Sequence, residues 1–404
     1  MQHSTAPPNP RSAVVFADDW GRHPSSCQHL MAQLAKKYSI TWVNTIGMRT
    51  PGFDLLTLRR ALGKLAEWLP CHPTAPPATT DAQVAVIAPR MWPWFTRPHD
   101  RWINQRLLTR TCSRIIDQMP DPVIAVTTIP IVADLVGRLN VRRWVYYCVD
   151  DFSMWPGLDG KTMAAMETDL VKRVDTIIAA SDVLRQRIQA LGRDSTVVTH
   201  GVDLSFWKST PSPSVVPPIA NPHSPRVVFW GVVDARLSVP HLEALSQELG
   251  SGSILLIGPQ QNPPSELGRI PRVTLAGPVP FDELPAVAAA ADVLIMPYAD
   301  LPVTRAMQPL KLKEYLATGK PVVTSDLPAV RPWADCLDCA TTPAEFARLV
   351  AERLETGIPA PQKRARECRL RQESWASKAS VFEQVVFSEC PQDGGQEKTL
   401  SVPP

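Results

Sequence analysis

Short apolar runs rich in β-branched and aromatic residues recur along this chain, and the stretches between them carry apolar residues at helical spacing. The first series is 13–16 (AVVF), 40–43 (ITWV), 84–87 (VAVI), 123–126 (VIAV), 144–147 (WVYY), 176–179 (TIIA) and 195–198 (STVV). The second is 226–230 (RVVFW), 253–257 (SILLI), 272–275 (RVTL), 292–295 (DVLI) and 321–324 (PVVT). Runs that are continuously apolar rather than alternating predict strands of parallel sheets covered by helices on both faces. Between the two series, 211–225 (PSPSVVPPIANPHSP) has neither period and reads as a semi-rigid linker. A chain of 404 residues suits two doubly wound α/β domains with a cleft between them. The expected division is 12–205, a linker at 206–225, a second domain at 226–371, a last helix at 372–390 and a tail at 391–404.

Composition narrows the class. Hydrophobic residues make up 44% and charged residues 20%, a globular profile, and the net charge of +3 is too small for a nucleic-acid binder. No apolar run reaches the roughly 18 residues that span a bilayer. The polar, proline-rich start lacks a secretory apolar core, so a cytoplasmic location is expected. Cys27, Cys112 and Cys148 fall inside apolar patterns and read as buried thiols. Cys336 and Cys339 form a lone CxxC without a second pair, so no metal is expected. There is no GxGxxG, no P-loop and no GxSxG elbow, which argues against dehydrogenase, P-loop phosphotransferase and α/β-hydrolase readings.

The most informative segment is 308–324 (QPLKLKEYLATGKPVVT). It predicts a helix that opens at Pro309, closes at Gly319 and passes through Pro321 into a buried strand. Lys311 and Glu314 are three residues apart and share one face near the amino end. A cation beside unpaired helix N–H groups attracts phosphate. A carboxylate one turn further on can accept hydrogen bonds from ribose hydroxyls. A plain surface ion pair is the alternative.

The order of 200–203 (HGVD), 229–231 (FWG), 257–259 (IGP), 276–279 (AGPV), 281–284 (FDEL), 291–298 (ADVLIMPY) and 309–317 (PLKLKEYLA) resembles the second half of GT-B glycosyltransferases. The similar group is the large retaining family 4, which includes bacterial polysaccharide-assembly transferases. In the first half, 20–21 (WG), 42–44 (WVN) and 150–152 (DDF) resemble that subgroup. Residues 373–375 (ESW) and the helix after them are similar to the family's last helix, which crosses back to the first domain.

The resemblance implies a GT-B fold, with two Rossmann-like domains facing each other across a cleft. It implies a hexosyltransferase acting with retention in cell-surface polysaccharide biosynthesis. The donor is a nucleoside-diphosphate sugar, needing no metal and no other cofactor, and the acceptor is a glycan or a lipid-linked glycan. On the donor side it points to Gly21, Arg236, Gly258, Pro278, Gln308, Pro309, Leu310, Lys311 and Glu314. Glu314 matches the ribose-binding glutamate and Lys311 faces the diphosphate. Two departures stand out. The first glutamate of the E-x7-E pattern is Ala306, and the usual basic residue near Val232 is missing, with Arg236 the candidate replacement.

Acceptor-side candidates are Arg22 and His23, in the turn before a helix capped by Ser25 or Ser26, and Asp150 and Asp151 at the end of a strand. Asp151 is also a candidate catalytic carboxylate with Lys311 and Glu314. Residues 53–69 (FDLLTLRRALGKLAEWL) read as an amphipathic helix, and 91–95 (MWPWF) as an exposed aromatic cluster. Together they predict peripheral contact with an anionic membrane. Competing readings are a nucleotide-sugar epimerase of the same fold and a non-catalytic nucleotide-sugar-binding partner protein.

Overall fold

The computed structural model describes residues 12–21, 25–48, 84–155, 157–208 and 225–387. The amphipathic segment 53–69, Arg22, His23 and most of the linker lie outside the described residues. The first domain holds β1 (Ser12–Ala17), β2 (Ser39–Asn44), β3 (Val84–Ile87), β4 (Val123–Thr127), β5 (Arg143–Cys148), β6 (Thr176–Ala179) and β7 (Thr196–Val197). Its helices are α1 (Ser26–Leu34), α2 (Pro98–Ile116), α3 (Gly160–Arg173) and α4 (Asp182–Ala190). All seven strands are parallel, in the order β3-β2-β1-β4-β5-β6-β7. Every residue of β1, β4 and β5 is buried, as continuous apolar runs require of strands covered on both faces.

The second domain begins with the short helix α5 (Leu204–Lys208) and then repeats the plan. Its strands are β8 (Arg226–Trp230), β9 (Val233–Asp234), β10 (Ser253–Ile257), β11 (Gln260–Gln261), β12 (Val273–Ala276), β13 (Val293–Met296), β14 (Val322–Ser325) and β15 (Asp338–Ala340). The main sheet runs β12-β10-β8-β13-β14-β15, all parallel, and β9 pairs with β11 beyond the ends of β8 and β10. Strands β9, β11 and β15 are two or three residues long, too short to carry a readable period. Helices α6 (Val239–Glu248), α7 (Leu284–Ala290), α8 (Pro302–Ala306), α9 (Leu310–Ala317), α10 (Pro343–Thr356) and α11 (Ala360–Leu370) cover it. In each sheet the strand order reverses beside the first strand, at β1/β4 and at β8/β13. Ligands of open α/β sheets bind at such switch points.

Two cores result, dividing between Val198 and Val202. The last helix, α12 (Trp375–Phe387), buries Trp375, Phe382, Val386 and Phe387 in the first core although it follows the second domain. Where it crosses, Trp375 stacks on His29 of α1 with ring centroids 4.5 Å apart, and burial pushes the His29 pKa down to about 4. Gly201 lies under Trp375, so close that a Cβ there would come within 2.8 Å of the indole.

A buried cation ties the crossing together. Lys313 of α9 is 2% exposed. Its ammonium donates to the Thr199 hydroxyl at 3.1 Å, to the His200 carbonyl and to the Glu373 carboxylate, which also pairs with Lys378. The Val202 N–H adds a bond to the Glu373 carbonyl at 2.8 Å. Burial pulls the Lys313 pKa down to about 8, with Glu373 opposing the fall. Replacing Lys313 by Met keeps the stem but strips the His200 carbonyl of its ammonium partner and leaves Glu373 with Lys378 alone. A stability loss of about 2 kcal/mol or more is expected by urea unfolding, and an unchanged midpoint would show the clamp to be dispensable.

Candidate functional site

The switch point of the second sheet is where Lys311 arrives. Strand β8 ends at Trp230, and Gly231 follows with φ +142°, its N–H donating to Ile257 O at 2.9 Å. Gly258 ends the neighbouring strand at φ +144°, and a Cβ on it would lie 2.0 Å from Gly231 O. A Cβ on Gly231 would lie 2.2 Å from Lys311 Nζ. Both glycines are therefore demanded by conformation and by space. The ammonium occupies the room that Gly231 leaves. It donates to the Tyr298 hydroxyl at 2.6 Å and sits 4.9 Å from the Phe229 ring centroid.

Helix α9 holds Lys311 there because its other residues are braced. The Tyr315 hydroxyl accepts from Trp230 N at 2.8 Å and donates to Trp230 O at 3.1 Å, fastening the helix to the end of β8. Leu312, Tyr315 and Leu316 are buried in the second core, while Leu310 packs against the first. Pro309 is the N-cap, one residue ahead of the helix, and no side chain caps the first turn. Glu314 stands one turn beyond Lys311. Loss of water around its carboxyl pushes its pKa up to about 7, against the pull of Lys311 and the Trp230 side chain. Gln308 is half-buried, and its carbonyl accepts from the His200 side chain. The His200 Nδ1 bonds the Ser26 hydroxyl at the start of α1, so one imidazole joins the donor-side loop to the first domain.

Arg236 faces this group from the same domain. Both Asp234 oxygens accept from its guanidinium, at 2.8 to 3.0 Å, and it is only 7% exposed. It lies 5.1 Å from the ring centroid of Trp155, a residue of the first domain. Asp150 is close by. Burial pushes its pKa up to about 7, Arg236 pulls it back, and Asp151 and Asp18 add to the rise. The cleft thus brings Asp150 and Trp155 against Arg236, and the Arg236 carbonyl accepts from Ala299 N at 2.8 Å, which joins this segment to Tyr298 and the Lys311 group.

The other expected residues fall in different places. Asp151 is 7% exposed and has both oxygens engaged: one accepts from Ser153 N at 3.1 Å and Ser153 Oγ at 2.5 Å, the other from Arg187 at 2.6 Å. Arg187 also bridges to Glu167 at 2.6 Å. A carboxylate so committed is a structural cap and not an available base, which corrects its expected catalytic part. Gly21 makes the exposed turn after β1, with φ +78° and its N–H donating to the Gln28 side chain at 3.2 Å. Pro278 is exposed beyond β12. Ser25 caps α1, as the alternation of Ser25 and Ser26 allowed. The 91–95 cluster is also corrected. Met91 and Phe95 are buried, and Trp92 is pinned by N–H bonds to Asn104 at 2.7 Å and Asp100 at 2.8 Å.

Sequence reasoning assigned nothing to Tyr298, Trp155, Gly231 or Lys313. For Lys313 a signal existed: residues two apart on a helix point to opposite sides, so Lys311 and Lys313 could not share one partner.

Two Rossmann-type domains meeting across a cleft, with a last helix returning to the first, define the GT-B fold. Residues 222–356 match the family Glycosyl transferases group 1, so the resemblance seen in the sequence holds across the second domain. Over 180 residues the chain is 29% identical to TuaH of Bacillus subtilis (strain 168), assigned as a teichuronic acid biosynthesis glycosyltransferase. That match covers 42% of this chain and spans less than half, 45%, of TuaH. Among solved structures, sucrose-phosphate synthase from Thermosynechococcus elongatus superposes with TM-score 0.66 at 14% identity, covering 93% of this chain and 98% of its own. Anabaena HepE, solved with UDP and glucose, superposes with TM-score 0.62 at 14% identity, covering 93% and 99%. At such identities these structures establish the fold alone.

Two outcomes follow from the geometry. Gly231→Ala should strain the turn, because alanine is disfavoured at φ +142°, without unfolding the protein, and should expel the Lys311 ammonium from beside the new methyl. Circular dichroism should stay native while affinity for nucleoside diphosphates falls at least tenfold, and retained affinity would dissociate Lys311 from the site. The second concerns the raised Glu314 pKa. Between 4.5 and about 7 the folded protein holds a proton that the unfolded chain releases, so this carboxyl costs stability as pH rises through that window. Glu314→Gln should therefore stabilise the protein by about 1 kcal/mol or more near pH 8 and have little effect near pH 4.5, compared by denaturant unfolding.

Proposed function

We propose that the protein transfers a hexosyl group, with retention, from a nucleoside-diphosphate sugar to a glycan or lipid-linked acceptor in cell-surface polysaccharide synthesis. The observation that carries this reading is the Lys311 ammonium held at the Gly231 turn, beside the uncapped start of α9, with Glu314 one turn away. As the glycosidic bond breaks, negative charge gathers on the departing diphosphate. A fixed ammonium and a helix amino end favour that state over the bound donor. Arg236, already neutralised by Asp234, contributes position more than net charge. The HepE complexes with UDP and with UDP-glucose, and the assignment of TuaH, support a nucleotide-sugar donor and a polysaccharide product.

With Asp151 committed elsewhere, the acceptor hydroxyl loses its proton to the departing phosphate as it attacks the same sugar face. The new glycosidic bond forms as the old one breaks, and the diphosphate leaves carrying the proton. Asp150, with its pKa near 7, orients the acceptor hydroxyl from the opposite wall. No metal enters this scheme. The protein works at the cytoplasmic face of the membrane if its acceptor is lipid-linked.

A second reading, a non-catalytic nucleotide-sugar-binding partner, is favoured by Ala306, buried at the end of α8 where the family carries a carboxylate. A thermal-shift panel of uridine, guanosine and thymidine diphosphates and their sugars identifies the donor, since a ligand of the native state raises Tm. With that donor and an extract containing lipid-linked glycans, wild type should release free nucleotide. Lys311→Ala should lower turnover by about 100-fold, as removing one donor to a developing anion does. Glu314→Ala should chiefly raise KM for the donor. Binding without any turnover would establish the partner reading, and full activity of both variants would remove the proposed donor site.

A further inference from the structure

The outer face of α2 carries a row of cations that the donor and acceptor chemistry leaves unused. Trp102, Arg106, Arg110 and Arg114 recur every fourth residue and are all exposed, while Asn104, Leu108, Cys112 and Ile116, offset by two, are buried. The exposed row runs for about 18 Å along the helix. The one acidic residue within α2, Asp100, is buried and bonded to Trp92, and the exposed Asp117 at its carboxyl cap stands beside Arg114 only, so Arg106 and Arg110 face no carboxylate of the helix. Arg101 is different. It turns aside to Asp134 at 2.7 Å and Asp169 at 3.2 Å, and its charge is spent there. Trp102 is 55% exposed, the largest such value among the described large hydrophobic side chains, with the Arg106 guanidinium 5.0 Å from its ring centroid.

We propose that this face of α2 docks on an anionic lipid bilayer. Guanidinium groups aligned along one helix complement a layer of phosphodiester headgroups, each contributing through the surface potential. A tryptophan kept in water has no partner to gain, whereas at the headgroup boundary its ring is buried and its N–H stays hydrated. A shallow groove of about 290 Å³ beside Trp102, lined by Thr96, Pro98, Gln105 and the Arg101–Asp134 pair, gives polar headgroup atoms a place to rest. Position agrees as well. Strand β3 delivers the chain to the carboxyl edge of the first sheet, so the Trp102 end of α2 lies on the edge where the cleft opens. Docking there would set the acceptor wall of the cleft against the membrane. The inference deepens the lipid-linked acceptor reading and rests on it for its meaning, but its test needs no donor.

Full-length protein should co-sediment with vesicles of equimolar phosphatidylcholine and phosphatidylglycerol, not with phosphatidylcholine alone, and be released by salt. The variant Arg106→Glu/Arg110→Glu/Arg114→Glu should bind about 100-fold more weakly. Trp102→Ala should weaken binding while leaving its salt dependence intact. Both variants should keep the wild-type Tm and nucleotide-induced Tm shift, which separates loss of docking from misfolding or failure of the donor site. Undiminished vesicle binding by the triple variant would overturn the proposal. So would a wild type that ignores anionic vesicles but binds heparin, since the row would then read soluble polyanions.

Discussion

An ammonium shut away from water must be met by oxygens, and Lys313 meets three of them from two separate stretches of chain. Thr199 and His200 belong to the strap leaving the first domain, Glu373 to the turn entering α12, and Lys313 itself to the helix of the candidate donor site. Leaving any of these groups unpaired in the interior costs more than the pair gains in isolation, so the arrangement is strongly specified even if its net contribution is small. The consequence is geometric. The helix that presents Lys311 and Glu314 is referenced to the crossing of both domains, and His200 repeats the link on its other side through Ser26 and the Gln308 carbonyl.

On that scaffold one short helix serves two sites. Successive turns put Lys311 and Glu314 towards the cleft and Lys313 towards the crossing, while Leu312, Tyr315 and Leu316 fill the core between. Tyr315 fastens the helix to the last residue of β8, and Gly231 then yields the space that the Lys311 ammonium takes. The cleft carboxyls are held under strain of a different kind. Glu314 and Asp150 both sit near neutrality because water is scarce around them, and each is moderated by a single cation, Lys311 or Arg236. Groups poised in this way lower the stability of the empty protein and leave it ready for a polar, anionic ligand.

The first domain shows how a chemically suggestive pair divides. Asp150 and Asp151 are neighbours at the end of β5, and backbone alternation sends them apart. Asp151 turns inward to cap the 3-10 turn Phe152–Met154 and to meet Arg187, which is itself shared with Glu167. Asp150 turns to the cleft and to Arg236. Their different surroundings leave one carboxylate saturated and the other perturbed.

Much of this was legible in the residues alone. Twelve apolar runs marked the sheets because a strand buried on both faces cannot hide its composition, and the parallel order follows once helices alternate with strands. Lys311 and Glu314 could be paired because helical spacing is local. The division of Asp150 from Asp151, the pinning of Trp92 by Asn104 and Asp100, and the partners of Lys313 were not local. They depend on residues from eight to more than a hundred positions away, and no helical or strand period encodes such meetings. Local chemistry determined which groups could act; packing across the two domains decided which of them were left free to do so.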